Sequence, residues 1–97
     1  MSIEIRTQDN EVHVLLRGEV TVEEARSLHT GLASQLTSGL SLAIDAASLT
    51  RCDTAILQLL CAAQRAAAKT RILAASPAWR VTLKRYGLED HWPLSNS

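Results

Sequence analysis

The sequence contains no phenylalanine, and it has only two tryptophans and one tyrosine among 97 residues. A hydrophobic core must therefore be built from Leu, Ile, Val and Ala, since apolar residues make up 46% of the chain. Pockets for flat cofactors and nucleobases are commonly lined by aromatic rings. The scarcity of rings argues against such a pocket, and we expect no bound cofactor.

An excess of charge of either sign is also absent, because ten Lys and Arg residues balance ten Asp and Glu residues. Proteins that bind nucleic acid usually carry a clearly basic face. The nearest candidate is the group Arg80, Lys84 and Arg85, whose helical spacing is typical of a solvated helix face. We therefore expect no nucleic-acid partner.

The residues that build catalytic and metal sites are few and scattered. Cys52 and Cys61 match no metal or redox spacing, which indicates two free thiols in a reducing compartment. His13, His29 and His91 lie in separate segments without ligand-spaced neighbours. The sequence also has no glycine-rich phosphate loop. We predict that the protein is not an enzyme and has neither catalytic residues nor a metal site.

Long apolar runs are missing as well. Gln58, Gln64 and Arg65 interrupt the longest apolar stretch, which is too short for a membrane span. The first residues carry charge where a signal peptide needs an apolar run. We expect a cytoplasmic protein without direct insertion into a membrane.

The hydropathy pattern predicts one domain over residues 1–97, with the element order β-β-α-β-α-β-α. Helices that alternate with buried strands favour an α/β fold with a small, mostly parallel four-stranded sheet, and a hairpin at the N-terminus adds one antiparallel pair. The predicted segments are strands at 3–6, 11–17, 40–45 and 71–75, and helices at 22–37, from 53 or 54 to about 69, and from 76 to 86. A loop is predicted at 46–52, between the third strand and the second helix.

Local signals support these segments. Thr21 and Glu24 form a capping-box pattern, and Ser76-Pro77 is typical of a helix start. The second helix is apolar on most sides and should be largely covered. We predict that Leu42, Ile44, Leu59 and Leu60 are buried, that Trp79, Leu83 and Tyr86 share one stripe, and that Leu88 and Trp92 hold down the tail.

Asp45 ends a predicted buried strand, where open α/β sheets often place functional groups. A phosphoreceiver or an enzyme centred on Asp45 would fit this position. A receiver also needs acidic residues at the end of the first strand to hold Mg²⁺, but those strands end in Arg6-Thr7 and Arg17-Gly18. In the structural alternative, Asp45 simply accepts hydrogen bonds from loop N–H groups.

The segment 48–55 joins a buried strand to a buried helix and is rich in short hydroxyl and carboxylate side chains. Such residues stabilise turns and helix caps, which is the structural interpretation. In the functional interpretation, Thr54 stands at a helix N-terminus, where free N–H groups and the positive helix end can hold a phosphate.

The run from Asp45 to Leu60 resembles the signature of the STAS domain family, in which a strand ending in Asp is followed by a short loop and by Asp-Ser or Asp-Thr at the start of a Leu- and Ala-rich helix. Gly18-Glu19-Val20 resembles the family's early Gly-Glu-Leu-Asp turn, and 76–88 resembles its closing segment. The family includes bacterial anti-sigma-factor antagonists, a cytoplasmic subunit of a phospholipid-transport ABC system, and chemotaxis-associated proteins.

The resemblance implies a regulatory module that binds a protein partner, either an anti-sigma factor resembling a histidine-kinase ATPase or the ATPase of an ABC transporter. It places the phosphoacceptor at Thr54. The sequence departs from the antagonists at Ala55 and Ile56, where they usually have a small residue and then Gly, and at Thr21, which replaces an aspartate. The implied partner-binding residues are Glu19, Arg51, Asp53, Thr54, Ala55 and Gln58.

Overall fold

The computed structural model describes residues 3–37 and 39–88, and within them the element order is the predicted one. His91, and Trp92 with its predicted role in holding down the tail, lie outside the described residues. The strands are β1 (Ile3–Gln8), β2 (Glu11–Val20), β3 (Ser41–Cys52) and β4 (Thr70–Ala75). The helices are α1 (Ala25–Gln35), α2 (Thr54–Ala66) and α3 (Pro77–Arg85), with a 3₁₀ turn (Val22–Glu24) before α1.

The four strands form one sheet in the order β1-β2-β3-β4. β1 and β2 are antiparallel, and Asp9 and Asn10 join them with positive φ values of 52° and 63°, as a tight two-residue hairpin turn requires. β2, β3 and β4 are parallel. From β2 to β3 and from β3 to β4, the chain moves one strand further across the sheet in the same direction. Because crossovers between parallel strands are right-handed, α1 and α2 lie on the same face of the sheet. The predicted fold class is confirmed.

The core lies between this face and the helices. Leu42, Ile44 and Leu60 are fully buried, as predicted, whereas Leu59 is only partly buried. The prediction that α2 is covered on most sides is wrong. α2 packs one face against the sheet, and its opposite face, which includes Gln58 and Ala62, is exposed. The sequence does not indicate this asymmetry, because α2 is rich in alanine, which occurs on both buried and exposed helix faces.

The predicted loop 46–52 is also wrong, because β3 continues as a strand to Cys52 and pairs with the second half of β2. The register shifts twice: β3 contributes an extra residue between the Leu15–Asp45 and Arg17–Ser48 pairs, and another before Glu19 pairs with Arg51. Each bulge turns the following side chains to the other face. The buried positions Ala46, Leu49 and Cys52 are therefore three apart, and the alternation that identifies a strand is lost.

α1 lies close to the hairpin. The carboxylate of Glu24 accepts a hydrogen bond of 3.0 Å from the N–H of Thr21, which is the backbone half of the predicted capping box. Gly31 faces the Ile5 side chain with no room between them. The side chain of Gln35 reaches the free edge of β1, where its Nε2 donates to the carbonyl of Ile5 at 3.1 Å. The first helix is thereby fixed to the edge of the sheet.

The face of the sheet opposite the helices is crossed by an ion pair. Arg71 of β4 donates two hydrogen bonds of 2.7 Å to the carboxylate of Glu11 on β2. The pair spans β3, where the small side chains of Ser41 and Ala43 leave room for it. The hydrogen bonds and charge of Arg71 hold the pKa of Glu11 below its ordinary value of 4.5.

Candidate partner-binding site

The residues that the resemblance assigned to partner binding gather at the carboxyl ends of β2 and β3 and on the first turns of α2. Glu19 and Arg51 are register neighbours on adjacent strands, and both are exposed. Asp53 and Thr54 follow β3 directly. This edge of a parallel sheet is where α/β proteins commonly place binding groups.

Asp53 occupies the N-cap position of α2, and its carbonyl accepts the N–H groups of Ile56 and Leu57. Its carboxylate makes no hydrogen bond to α2 itself. Instead, its Oδ2 accepts the N–H of Val22, the first residue of the 3₁₀ turn, at 3.0 Å. The Nε of Arg51 lies 3.7 Å from the other carboxylate oxygen. Asp53 therefore ties the start of α2 to the start of the α1 segment.

Thr54 is the first residue of α2, and its side chain is exposed. Of the two caps considered from the sequence, Asp53 holds the position and Thr54 lies inside the helix. The Thr54 hydroxyl therefore points away from the helix backbone. It donates a hydrogen bond of 2.8 Å to the hydroxyl of Tyr86, at the end of α3.

Tyr86 was missed as a site residue, because its spacing from Trp79 and Leu83 predicted a shared buried stripe. Trp79 and Leu83 are buried at 1% and 4% exposure, but Tyr86 is 45% exposed. Tyr86 caps the C-terminal end of α3, where its N–H still bonds the Thr82 carbonyl, and its hydroxyl contacts Thr54 of α2. The available signal was its phenolic hydroxyl, which needs a polar partner where an apolar stripe offers none.

A shallow groove of about 370 Å³ runs between α2 and the end of α3. Its lining, which defines the α2–α3 groove, consists of Thr54, Leu57, Gln58, Cys61, Ala62, Arg65, Tyr86 and Leu88. On the other side of α2, Ala55 and Gln58 line a second depression, shared with Arg26 and His29 of α1. Gln58 thus stands on the ridge between two concave surfaces.

Both cysteines are free thiols, as predicted. Cys52 is not in a loop but ends β3, and it is buried. Burial, assisted by the negative charge of Asp53, raises the pKa of the Cys52 thiol to about 12. Cys61 is only partly buried and lines the α2–α3 groove. The two thiols therefore differ sharply in access to solvent.

Asp45 does not end a strand. It lies inside β3, and its Oδ1 accepts the N–H of Ala47 at 3.0 Å, which agrees with the structural alternative. Its surroundings on the open face of the sheet include Arg6, His13 and Leu15. In the part of the chain that the structure describes, no group of three or more His, Cys, Asp or Glu side chains is arranged to hold a metal ion. Among the same residues, no helix has the length and apolar character needed to cross a membrane.

Comparison with solved structures shows the same fold in three chains, each at low sequence identity. An anti-sigma factor antagonist from Mycobacterium paratuberculosis is 20% identical, with a TM-score of 0.76 over 98% of this chain and 85% of that chain. The anti-sigma factor antagonist SpoIIAA in its unphosphorylated form is 16% identical, with a TM-score of 0.79 over 98% and 89% of the two chains. The Bacillus cell fate determinant SpoIIAA in its phosphorylated form is 15% identical, with a TM-score of 0.73 over 98% and 92%.

Sequence comparison adds the family. Curated protein sequences give no match. The family model described as "Mlab, STAS domain" matches residues 3–95, which is nearly the whole chain. This protein belongs to the STAS domain family.

Proposed function

We propose that this protein is a regulatory interaction module, similar to the anti-sigma-factor antagonists, that binds a partner kinase or ATPase through the start of α2. Phosphorylation of Thr54 controls that binding. The observation that carries the proposal is the exposed Thr54 hydroxyl at the first position of α2, beside Asp53 and Arg51. Two of the structural neighbours are SpoIIAA in its unphosphorylated and phosphorylated forms, which supports a phosphorylation switch on this fold.

The electrostatics are compatible with such a switch. A phosphate adds a charge of about −1.5 to −2, and the N-terminal end of α2 can accept it without unfolding the domain. The phosphate would stand next to the carboxylate of Asp53. In the unmodified protein the charges of Arg51 and Asp53 nearly balance, so phosphorylation makes this surface strongly negative. A partner that fits the unmodified surface then loses affinity through like-charge repulsion and desolvation.

Two of the three departures from the antagonist pattern, Ala55 and Ile56, lie on α2. Ile56 is fully buried and Ala55 is half-buried, whereas Thr54 and Gln58 remain exposed. The surface available to a partner is therefore retained even though the helix interior has changed.

A second candidate is an accessory subunit of an ABC phospholipid transporter, which docks its ATPase through the same surface without an obligatory switch. The bond between Thr54 and Tyr86 favours it, because that bond gives the Thr54 hydroxyl a role in the unmodified protein.

The test is capture of the partner with the tagged protein, followed by mass spectrometry that reads both the partner and the phosphorylation state of Thr54. Thr54→Glu should then weaken the identified complex at least tenfold, which is about 1.4 kcal/mol. Thr7→Glu is the matched control, since Thr7 is also exposed and also donates a side-chain hydrogen bond, to Gln35, but lies on β1, at the opposite end of the sheet. Wild-type affinity of Thr54→Glu would rule out the switch, and a transporter ATPase as the captured partner would establish the second candidate.

A further inference from the structure

The hydrogen bond between Thr54 and Tyr86 joins two elements that are far apart in the chain. It links the first residue of α2 to the residue after α3, 32 positions later, over 2.8 Å. Because the bond is exposed to water, its contribution to folding is small. Its main effect is therefore geometric, since it fixes the positions of the Thr54 and Tyr86 side chains.

Tyr86 is held firmly from the α3 side. The N–H of Leu88 bonds the carbonyl of Leu83 at 2.8 Å, and the N–H of Gly87 bonds that of Lys84 at 3.2 Å. With Gly87 at a φ of +68°, this is the Schellman arrangement that ends helices. The backbone of Tyr86 is thereby fixed, and movement of the residue is confined to its side chain.

The ring of Tyr86 forms one wall of the α2–α3 groove, and Thr54 lies at the α2 end of the same groove. Cys61 lies about two helical turns further along α2 in that lining. A ring held at Thr54 narrows the groove, whereas a ring free to turn outwards leaves Cys61 more accessible.

We infer that Tyr86 is the positioning residue of the Thr54 site: it orients the unmodified hydroxyl, and phosphorylation of Thr54 frees its ring and opens the α2–α3 groove. The inference rests on the proposed function, since it concerns how phosphorylation of Thr54 alters the α2–α3 groove beyond the modified residue itself. The modified protein thus differs from the unmodified one in shape as well as in charge.

The chemistry of the modification breaks the present hydrogen bond. The Thr54 oxygen attacks the terminal phosphorus of a nucleoside triphosphate supplied by the partner kinase. An O–P bond forms, the nucleoside diphosphate leaves, and the hydroxyl proton passes to the kinase or to water. The Thr54 oxygen can then no longer donate to Tyr86. The phosphoryl group also needs the space beside that oxygen, where the Tyr86 hydroxyl now lies at 2.8 Å.

Cys61 reports the opening through its reaction with a coloured disulfide reagent, measured on the purified native chain at mildly alkaline pH. Thr54→Glu stands in for the phosphate, and Tyr86→Phe keeps the ring but removes its hydroxyl. Each should speed labelling of Cys61 by about two- to tenfold, the equilibrium factor of one neutral hydrogen bond. The double variant should label no faster than the faster single variant. Thr82→Ala is the control, because its hydroxyl bonds the Ala78 carbonyl within α3.

Buried Cys52, with its raised pKa, separates opening of the groove from unfolding. Selective labelling of Cys61 would support the inference. Wild-type labelling in both single variants would overturn it, as would labelling of both thiols together, which signals global unfolding. If Thr54→Glu still loses the partner while Cys61 labels at the wild-type rate, the proposed function stands and the role of Tyr86 fails. If Cys61 labels faster while partner binding is unchanged, the role of Tyr86 in closing the groove stands and the proposed function fails.

Discussion

Among the residues that the structure describes, Gly31 is the one glycine in the interior of a helix. Its close contact with Ile5 explains why a residue without a side chain stands there. A Cβ built on Gly31 overlaps the Cδ1 atom of Ile5, while the Cγ1 and Cβ atoms of Ile5 lie at ordinary contact distances of 3.5 and 3.7 Å. Only the end of the isoleucine side chain therefore has to move when Gly31 is replaced by alanine.

Two opposing contributions set the magnitude. Alanine stabilises a helix interior by about 1 kcal/mol relative to glycine. Forcing the end of Ile5 out of its rotamer costs about 0.5–1.5 kcal/mol. We therefore expect Gly31→Ala to be nearly neutral in the wild-type chain. In an Ile5→Val background, where the overlapping atom is gone, the same change should stabilise the protein by about 1 kcal/mol.

The assay is a double-mutant cycle from urea unfolding followed by circular dichroism. Ser27→Ala, at an exposed position of α1, is the control and should have the same effect in both backgrounds. A coupling free energy near 1 kcal/mol between Gly31 and Ile5 is expected. A coupling below about 0.3 kcal/mol, the usual limit of additivity, would refute the idea that the packing of α1 on β1 selects glycine here.

Three further changes test the site and the fold. Asp53→Ala should cost about 1 kcal/mol in urea unfolding, because Val22 loses its acceptor, and Asp53→Asn should recover at least half of this because the amide oxygen can still accept. Glu11→Gln should destabilise the protein near neutral pH. The difference should begin to shrink as the pH falls below 4.5, the ordinary carboxyl pKa, and should vanish only below the lowered pKa of Glu11 in the folded protein. Leu60→Ala should cost about 2–5 kcal/mol and Leu59→Ala clearly less, and equal losses at the two positions would contradict the one-sided packing of α2.

The element order and the fold class could be predicted because the helices and strands are apolar segments separated by clear capping and turn residues. The second half of β3 could not be predicted in this way. The first half of the strand is a continuous buried run from Leu42 to Ile44, but two bulges after Asp45 place the later buried residues three apart. A bulge depends on the register with the neighbouring strand, which no local window of sequence contains. The second half of β3 was therefore interpreted as a loop.

The candidate site divides in the same way. Asp53 and Thr54 could be placed at the start of α2, because capping residues before an apolar helix are a local signal. The contact of the Asp53 carboxylate with Val22, rather than with its own helix, depends on how two segments meet in space. The same holds for the contact between Tyr86 and Thr54, which joins the end of α3 to the start of α2. Local sequence thus predicts which residues begin α2 but not their neighbours in space.

The match between strand order and chain order also bears on how the protein is made. Each strand pairs with the one synthesised just before it, so no strand must wait for a later one to be inserted between it and its partner. β1 and β2 can close as a hairpin as soon as both have left the ribosome, and each helix then delivers the next strand to a finished edge. The Glu11–Arg71 ion pair, whose members are 60 positions apart, can form only after β4 has docked. It therefore marks the completed sheet.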